Sequence, residues 1–454
     1  MVKQADLFSS NAEPVTSLLN DLLHAADAVL VKKLSNNDRD WAQFENKHQA
    51  GVYMPPPQRD SGFFPTLVTK ARTYGRESAI RETFFETIWP QVEEKKKTRL
   101  VHYTSKGAET HMTGVPKAAF ATLLPSSWLV MGRYNGELPR FECLTVDANS
   151  DDAHLLEDTL GIGPDFVAGI FEPREILAAE RAHILDFAEQ VAIAWAAGDI
   201  AAFATGRAAM PATAELAVLA RGQYLGEKQL PNLNPFEIDN PGDVIRDISR
   251  GTEWELFREF QRRERAVEVV RSILGDTPFE LTTAETIRRL VNGIADIDRI
   301  MLSASQQRKS RAGYSFEHHI EAMLQDGGVP FDKQVIMEAK KRPDFVLPSA
   351  RHLTGSASGP AAGLILSAKT TLRERWKQVQ REMTSNDLFL ATVDESIAAN
   401  AIEDMASLGI ILVVPESLKK SKSTEYVRHD NVIDFRTFFR EELAGRRIPA
   451  WTTA

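Results

Sequence analysis

The chain has one cysteine, Cys143, in 454 residues. That excludes an internal disulfide and a cysteine-based zinc site, and it suits the reducing cytoplasm of a prokaryotic cell. No stretch approaches the roughly 20 consecutive apolar residues of a membrane span. The opening Met-Val-Lys-Gln-Ala-Asp is too polar for a secretory signal. Positive charge is also in deficit. With a net charge of −9, any contact with nucleic acid must rest on local basic patches. Internal repeats are missing, and the Ser-Ala-Ser-Gly-Pro run at 356–360 is a loop too short to be a low-complexity domain. What remains is ordinary globular material, 43% hydrophobic and 26% charged, long enough for two or three domains with buried cores.

The pattern changes along the chain. Leu18, Leu19, Leu22, Leu23, Ala26 and Leu30 recur at helical spacing and predict one amphipathic helix over 15–34. Pro55-Pro56-Pro57 interrupts the next segment. Short β-rich runs follow at 100–103, 128–134 and 140–146, with Asn135-Gly136 as the hairpin turn. The alanine-rich stretch 176–212 reads as a helical hinge, and helical patterns continue through 253–274 and 283–302. From 315 onward helix and strand alternate, and the strands at 345–347, 364–366, 388–392 and 410–414 are continuous apolar runs. Such strands are buried on both faces, so a helix-covered α/β sheet is expected. The expected organisation is an N-terminal β-rich domain over 1–175, a linker over 176–212 and an α/β domain over 213–454.

The chemistry concentrates between Arg342 and Glu382. Asp344 opens one apolar strand and Lys369 closes the next, so the two can converge at one sheet edge. A divalent metal that activates water against a phosphodiester wants hard oxygen ligands, with a cation nearby for the developing charge. In the usual PD-(D/E)XK spacing the second carboxylate lies two residues before the lysine. Here that residue is Ser367, and the local site is one ligand short. The following segment carries Leu372, Trp376, Val379 and Met383 at helical spacing, with Glu382 at the edge of that apolar face. Glu382 could reach back, although most glutamates on such helices are solvated.

Several motifs in order resemble the catalytic domain of the EcoRII-type restriction endonucleases. They are Arg308-Lys309-Ser310-Arg311-Ala312-Gly313-Tyr314-Ser315-Phe316-Glu317-His318-His319, Arg342-Pro343-Asp344-Phe345, Ala368-Lys369-Thr370-Thr371 with Arg375-Trp376, and Leu412-Val413-Val414-Pro415-Glu416. The likeness begins near Met210. A shorter echo, in Lys33-Leu34-Ser35-Asn36-Asn37-Asp38 and His48-Gln49-Ala50-Gly51-Val52-Tyr53-Met54-Pro55, is similar to the start of that family's DNA-binding effector pseudobarrel.

The resemblance implies a multidomain type IIE enzyme with a C-terminal PD-(D/E)XK domain. Magnesium would be held by Asp344 and Glu382, with Lys369 as the third catalytic group and Glu317 in support. Arg373, Glu374 and Arg375 fall where the family reads bases; arginine forks suit guanine O6 and N7, and a carboxylate suits cytosine N4. Arg250 and Trp254 match a pair that sandwiches an extruded base, a task fit for a guanidinium plane and an aromatic face. His48 and Tyr53 match effector-site residues, and Lys95, Lys96 and Arg99 are candidate phosphate contacts. Double-stranded DNA in two or more copies, a second copy of the chain and a DNA methyltransferase are the implied partners. The rival expectations are a DNA-binding regulator with a degenerate nuclease domain, or a repair nuclease of the same fold.

Overall fold

The structure is a computed structural model. It describes residues 15–45, 51–70, 80–104, 107, 109–280, 282–334, 342–354, 359–372 and 387–453. The chain divides into two compact units. One holds residues 1–178 together with 395–398 and 422–425, and the other holds 179–394, 399–421 and 426–454.

The N-terminal unit is built on β1 (Ala28–Lys33), β2 (Val52–Tyr53), β3 (Val68–Thr69), β4 (Ile80–Trp89), β5 (Glu94–Tyr103), β6 (Thr110–Thr113), β7 (Trp128–Tyr134), β8 (Arg140–Val146) and β9 (Ala168–Phe171). Among the described residues they form one nine-stranded sheet in the order β2-β6-β5-β4-β8-β7-β1-β9, with β3 beside β4. Neighbours are antiparallel except β4 with β8. Strand alternation sorts side chains between two cores. Leu30, Leu129, Met131, Phe141 and Cys143 pack on one face with Phe85, Trp89 and Phe120. Val29, Val31, Trp128, Val130 and Leu144 pack on the other, under the helices Val15–Ala25 and Asp151–Leu160.

The single helix expected over 15–34 is therefore two elements. It stops at Ala25, and Val29-Leu30-Val31 joins the sheet, because the run from Ala28 alternates cores with period two and carries β-branched residues. The 135–139 connection is also longer than an Asn-Gly turn: Tyr134 pairs with Arg140, and the Asn135 amide donates to Asp27 at 2.7 Å.

Among the described residues the second unit carries β10 (Asp332–Lys333), β11 (Phe345–Leu347), β12 (Leu364–Ala368), β13 (Leu388–Ala391), β14 (Ile410–Val414) and β15 (Val432–Asp434) in a six-stranded sheet of that order. The first three strands are antiparallel and the last three pairings parallel, a mixed sheet. The long helix Ile294–Asp326 lays Phe316, Ile320, Met323 and Leu324 on this sheet, against Phe345, Leu347, Leu364 and Leu366. Their spacing is one helical face. The alanine-rich stretch continues as helices Pro173–Ala196 and Ile200–Phe203, and its Val191, Trp195, Ile200 and Ala208 bury against Val267.

Two short helices of this unit cap each other. Glu416 accepts from the amides of Gly242 and Asp243 at 3.3 and 3.0 Å, while Asp243 accepts from the Ser417 amide at 3.0 Å. Each carboxylate satisfies amides at the other helix's N-terminus. The approach is close because residue 242 is glycine: a Cβ there would lie 2.6 Å from Phe435 Cδ2 and 2.8 Å from Pro415 Cα.

Candidate active site

The pairing of β11 with β12 builds the site. Phe345 sits opposite Leu366, so one pair further sets Asp344 against Ser367, with Ala368 and Lys369 just beyond. One carboxylate oxygen of Asp344, Oδ2, accepts from Lys369 Nζ at 2.7 Å, from the Ala368 amide at 2.8 Å and from Ser367 Oγ at 3.1 Å. Lys369 is held from its other side as well, its amide donating to Ala391 O at 3.0 Å in continuation of the β12–β13 ladder. Ser367, a missing ligand by sequence spacing, here orients the aspartate. Its buried hydroxyl supplies a hydrogen bond where a carboxylate would have supplied repulsion.

Glu317 comes from the long helix. It lies at the margin of the apolar face, one residue after buried Phe316, and its Oε1 is 3.8 Å from Lys369 Nζ. Burial pushes the Glu317 carboxyl up to about 7, and the nearby charge of Asp344 pushes in the same direction, against the pull of Lys369 and Lys333. Lys333 is paired with Glu321 one helical turn further on. Two carboxylates flanking one ammonium thus share a half-buried sheet edge.

That donor set suits a hard divalent cation, which would offset the burial and the Asp344 charge that raise Glu317. Among the described residues, no three His, Cys, Asp or Glu side chains converge to hold a metal. Glu382, expected as the second ligand, lies outside the described residues, as do Arg373, Glu374 and Arg375. The chain is described as far as Leu372, whose amide donates to the buried carboxylate of Asp394 at 2.7 Å.

Arg250 and Trp254 lie together at the entry of the helix Glu253–Leu274. Arg250 is on a π-helical turn, Ile248–Thr252, and Trp254 follows one turn later, half-buried and stacked on Phe257 with 5.6 Å between ring centroids. Such irregular turns re-aim side chains and recur at functional sites.

In the N-terminal unit, His48 lies outside the described residues. Tyr53 pairs with His111 across β2 and β6, and its amide donates to Asp38 at 2.7 Å. Asp38 is itself buried and accepts from Lys32 Nζ at 2.5 Å and Ser35 Oγ at 2.7 Å. Arg39, its guanidinium shifted down by burial against the pull of Glu425, donates to Glu425 at 2.9 Å and Leu123 O at 2.9 Å. Lys33 pairs with Glu395 at 2.9 Å within the same unit. The basic run lies on β5, where alternation turns Lys95 and Lys97 to one face and Lys96 to the other. Lys96 pairs with Glu94 at 2.5 Å, and Arg99 donates to Glu82 through Nε at 2.7 Å.

Sequence patterns did not reveal the buried Glu253 and Asp394, and His319 stood in a quoted motif with no role attached. Each acts across a long sequence separation, which leaves no spacing to read.

A mixed sheet with an aspartate and a lysine on adjacent strand ends, and a helix-borne glutamate beside them, defines a PD-(D/E)XK-type α/β fold. Residues 279–439 match the family described as EcoRII C terminal. The type II restriction enzyme EcoRII of Escherichia coli is 34% identical over 151 residues, 33% of this chain and 37% of that protein. The chain thus matches little more than a third of that relative's length. The type II restriction enzyme SsoII of Shigella sonnei is 28% identical over 221 residues, 46% of this chain and 70% of its own. Among solved structures, metal-depleted Ecl18kI in complex with uncleaved, modified DNA aligns with 26% identity over 55% of this chain and 83% of that one, at a TM-score of 0.42.

Proposed function

We propose that the chain is a type II restriction endonuclease of the IIE kind, cutting both strands of DNA at a short palindrome flanked by CC and GG, of the CCWGG type. The observation that carries this reading is the Asp344–Lys369–Glu317 cluster, placed at the sheet edge of a domain that matches the EcoRII C-terminal family. Lys369 is the cation for charge developing on the scissile phosphate, and its two carboxylate partners fix where that charge must sit. Glu317, poised near 7, can hold or release a proton beside the attacked phosphate. Asp344 and Glu382 are the residues that would hold magnesium, whose chemistry is to activate water and leave a 5′-phosphate end.

Specificity is assigned to Arg373, Glu374 and Arg375 for base edges, and to Arg250 and Trp254 for an extruded central base. Two cuts in a palindrome need two copies of the site, hence a homodimer. The helix Thr283–Asn292 supports it: Ile287, Leu290, Val291 and the following Ile294 form an exposed apolar stripe at helical spacing that a second copy would cover. The N-terminal unit would bind a second copy of the DNA site as effector, through His48, Tyr53, Lys95, Lys96 and Arg99. A DNA methyltransferase of the same specificity is the expected functional partner. Among the described residues no helix is long and apolar enough to cross a membrane.

Digestion of plasmid DNA with and without magnesium, followed by sequencing of the ends, tests the reading. Discrete fragments with one shared terminal sequence are expected. Random nicking, or intact plasmid with magnesium present, would overturn it.

A further inference from the structure

Three helices of the C-terminal unit meet at a buried polar cluster that the proposed chemistry does not use. Glu253, the first residue of the helix Glu253–Leu274, is buried, and its Oε2 accepts from His319 Nε2 at 2.5 Å and from the Ser315 hydroxyl. On its other nitrogen, His319 Nδ1 faces Arg221 Nη1 at 3.3 Å, and Arg221 also donates to His318 O at 3.3 Å from the helix Thr213–Lys228. A guanidinium can only donate, so Nδ1 accepts and the imidazole proton sits on Nε2, facing the carboxylate. The chain of bonds runs in one direction, from Arg221 through His319 to Glu253, and uses both ring nitrogens.

The placement of this cluster gives it a consequence. Ser315 and His319 are four residues apart and share one face of the helix Ile294–Asp326, while Glu317 between them points roughly 160–200° away, at about 100° per residue. One side of that helix therefore brings Glu317 to Lys369, and the other side grips Glu253. Glu253 directly follows the π-turn that carries Arg250 and directly precedes Trp254. A buried ion-and-hydrogen-bond network specifies one register between packed helices, where apolar contacts alone tolerate several.

We propose that Glu253 and His319 are positioning residues, which fix the base-sandwiching pair Arg250 and Trp254 against the helix that supplies Glu317. Base extrusion and cleavage are then coupled through one helix, clasped on both sides. The inference rests on the reading of Arg250 and Trp254 as a base pocket.

The test uses the full chain and a duplex bearing the site the wild type cuts, with 2-aminopurine at its central position. Fluorescence is read without magnesium and affinity by anisotropy. The wild type should show a rise on binding, the mark of an unstacked base. His319→Gln keeps a donor to Glu253 and should retain the rise. Glu253→Met combined with His319→Leu removes the carboxylate and the imidazole together while Arg221 keeps its bond to His318 O, so the variant should fold. In it the extruded-to-stacked ratio should fall roughly tenfold, with affinity falling by no more than the same factor, as expected for a lost charge-assisted bond. Single-turnover cleavage should fall in parallel. An undiminished rise in the double variant overturns the positioning role and leaves the base pocket standing. No rise in the wild type overturns the base pocket itself, and the inference with it.

Discussion

Lys369 reaches the carboxylate of Asp344 at 2.7 Å across 25 residues of sequence, because the antiparallel pairing of β11 with β12 brings both to one end of the sheet. Lys369→Ala removes the cation and leaves two carboxylates without it. Cleavage should fall by roughly a hundred- to a thousandfold, while binding to the cognate duplex in calcium persists. Gel-shift and single-turnover rates measure the two separately. Cutting at the wild-type rate would remove the lysine from the mechanism.

Arg375→Ala addresses recognition. A lost fork to guanine should cost about 1–3 kcal/mol of specific binding, with binding to scrambled duplex unchanged. Competition titrations against both duplexes read the difference. An equal loss on both would make Arg375 a phosphate contact.

How much of this was legible in the residues themselves differs from place to place. Asp344 and Lys369 are legible at their strand ends, since a buried apolar strand bounded by a charge is a local pattern. Ser367 was legible only as a defect, because its bond to Asp344 exists through strand register. The helix expected over 15–34 failed at Ala26: apolar residues at both helical and alternating spacing are ambiguous until the sheet is seen, and β7 and β9 pairing decided for strand. The Glu253–His319 bond joins residues 66 apart and leaves no periodic trace. Glu317 came from a motif, while its raised carboxyl required the burial and the Asp344 charge that only the fold supplies.

The apolar stripe gives a prediction about assembly. Ile287 and Val291 are 57% and 58% exposed, one turn apart on the helix Thr283–Asn292. Replacing both with Asp costs the isolated chain little, since neither is buried in it, but it would place charges in a dimer contact. Sedimentation velocity should show a dimer becoming a monomer. A dimer that survives the double change would place the contact elsewhere.

Protonation of His319 should show in stability. Burial holds its pKa below the ordinary 6.5, the Glu253 bond pulling the other way, so the folded chain keeps a neutral ring while the unfolded chain protonates. Below about 6.5 the unfolded state binds the extra proton, and stability contributed at this site is lost as pH falls. Glu317 and Glu416 shift upward and act with the opposite sign, but they are common to wild type and variant. The urea midpoint of the wild type should therefore drop relative to His319→Gln between pH 7.5 and 5.5. A gap that widens in favour of the wild type at low pH would mean that the ring is charged in the fold.

The effector role proposed for the N-terminal unit predicts activation in trans. A plasmid with a single site offers one copy to the catalytic domain and none to the effector domain. It should be cut slowly, and an excess of short site-bearing duplex should accelerate it several-fold. By whatever factor the second duplex tightens binding at the catalytic site, catalytic-site occupancy must tighten the second duplex, whereas the acceleration of cleavage itself need not be symmetric. Adding the duplex to a chain carrying Lys95→Ala and Arg99→Ala separates the two sites, because neither residue belongs to the catalytic unit. Lys95 is exposed on β5, while Arg99 is engaged with Glu82, so the phosphate contact would exchange one partner for another. Activation should fall in that variant while its basal rate stays at the wild-type level. If short duplex only competes, in wild type and variant alike, the N-terminal unit binds no activating second site.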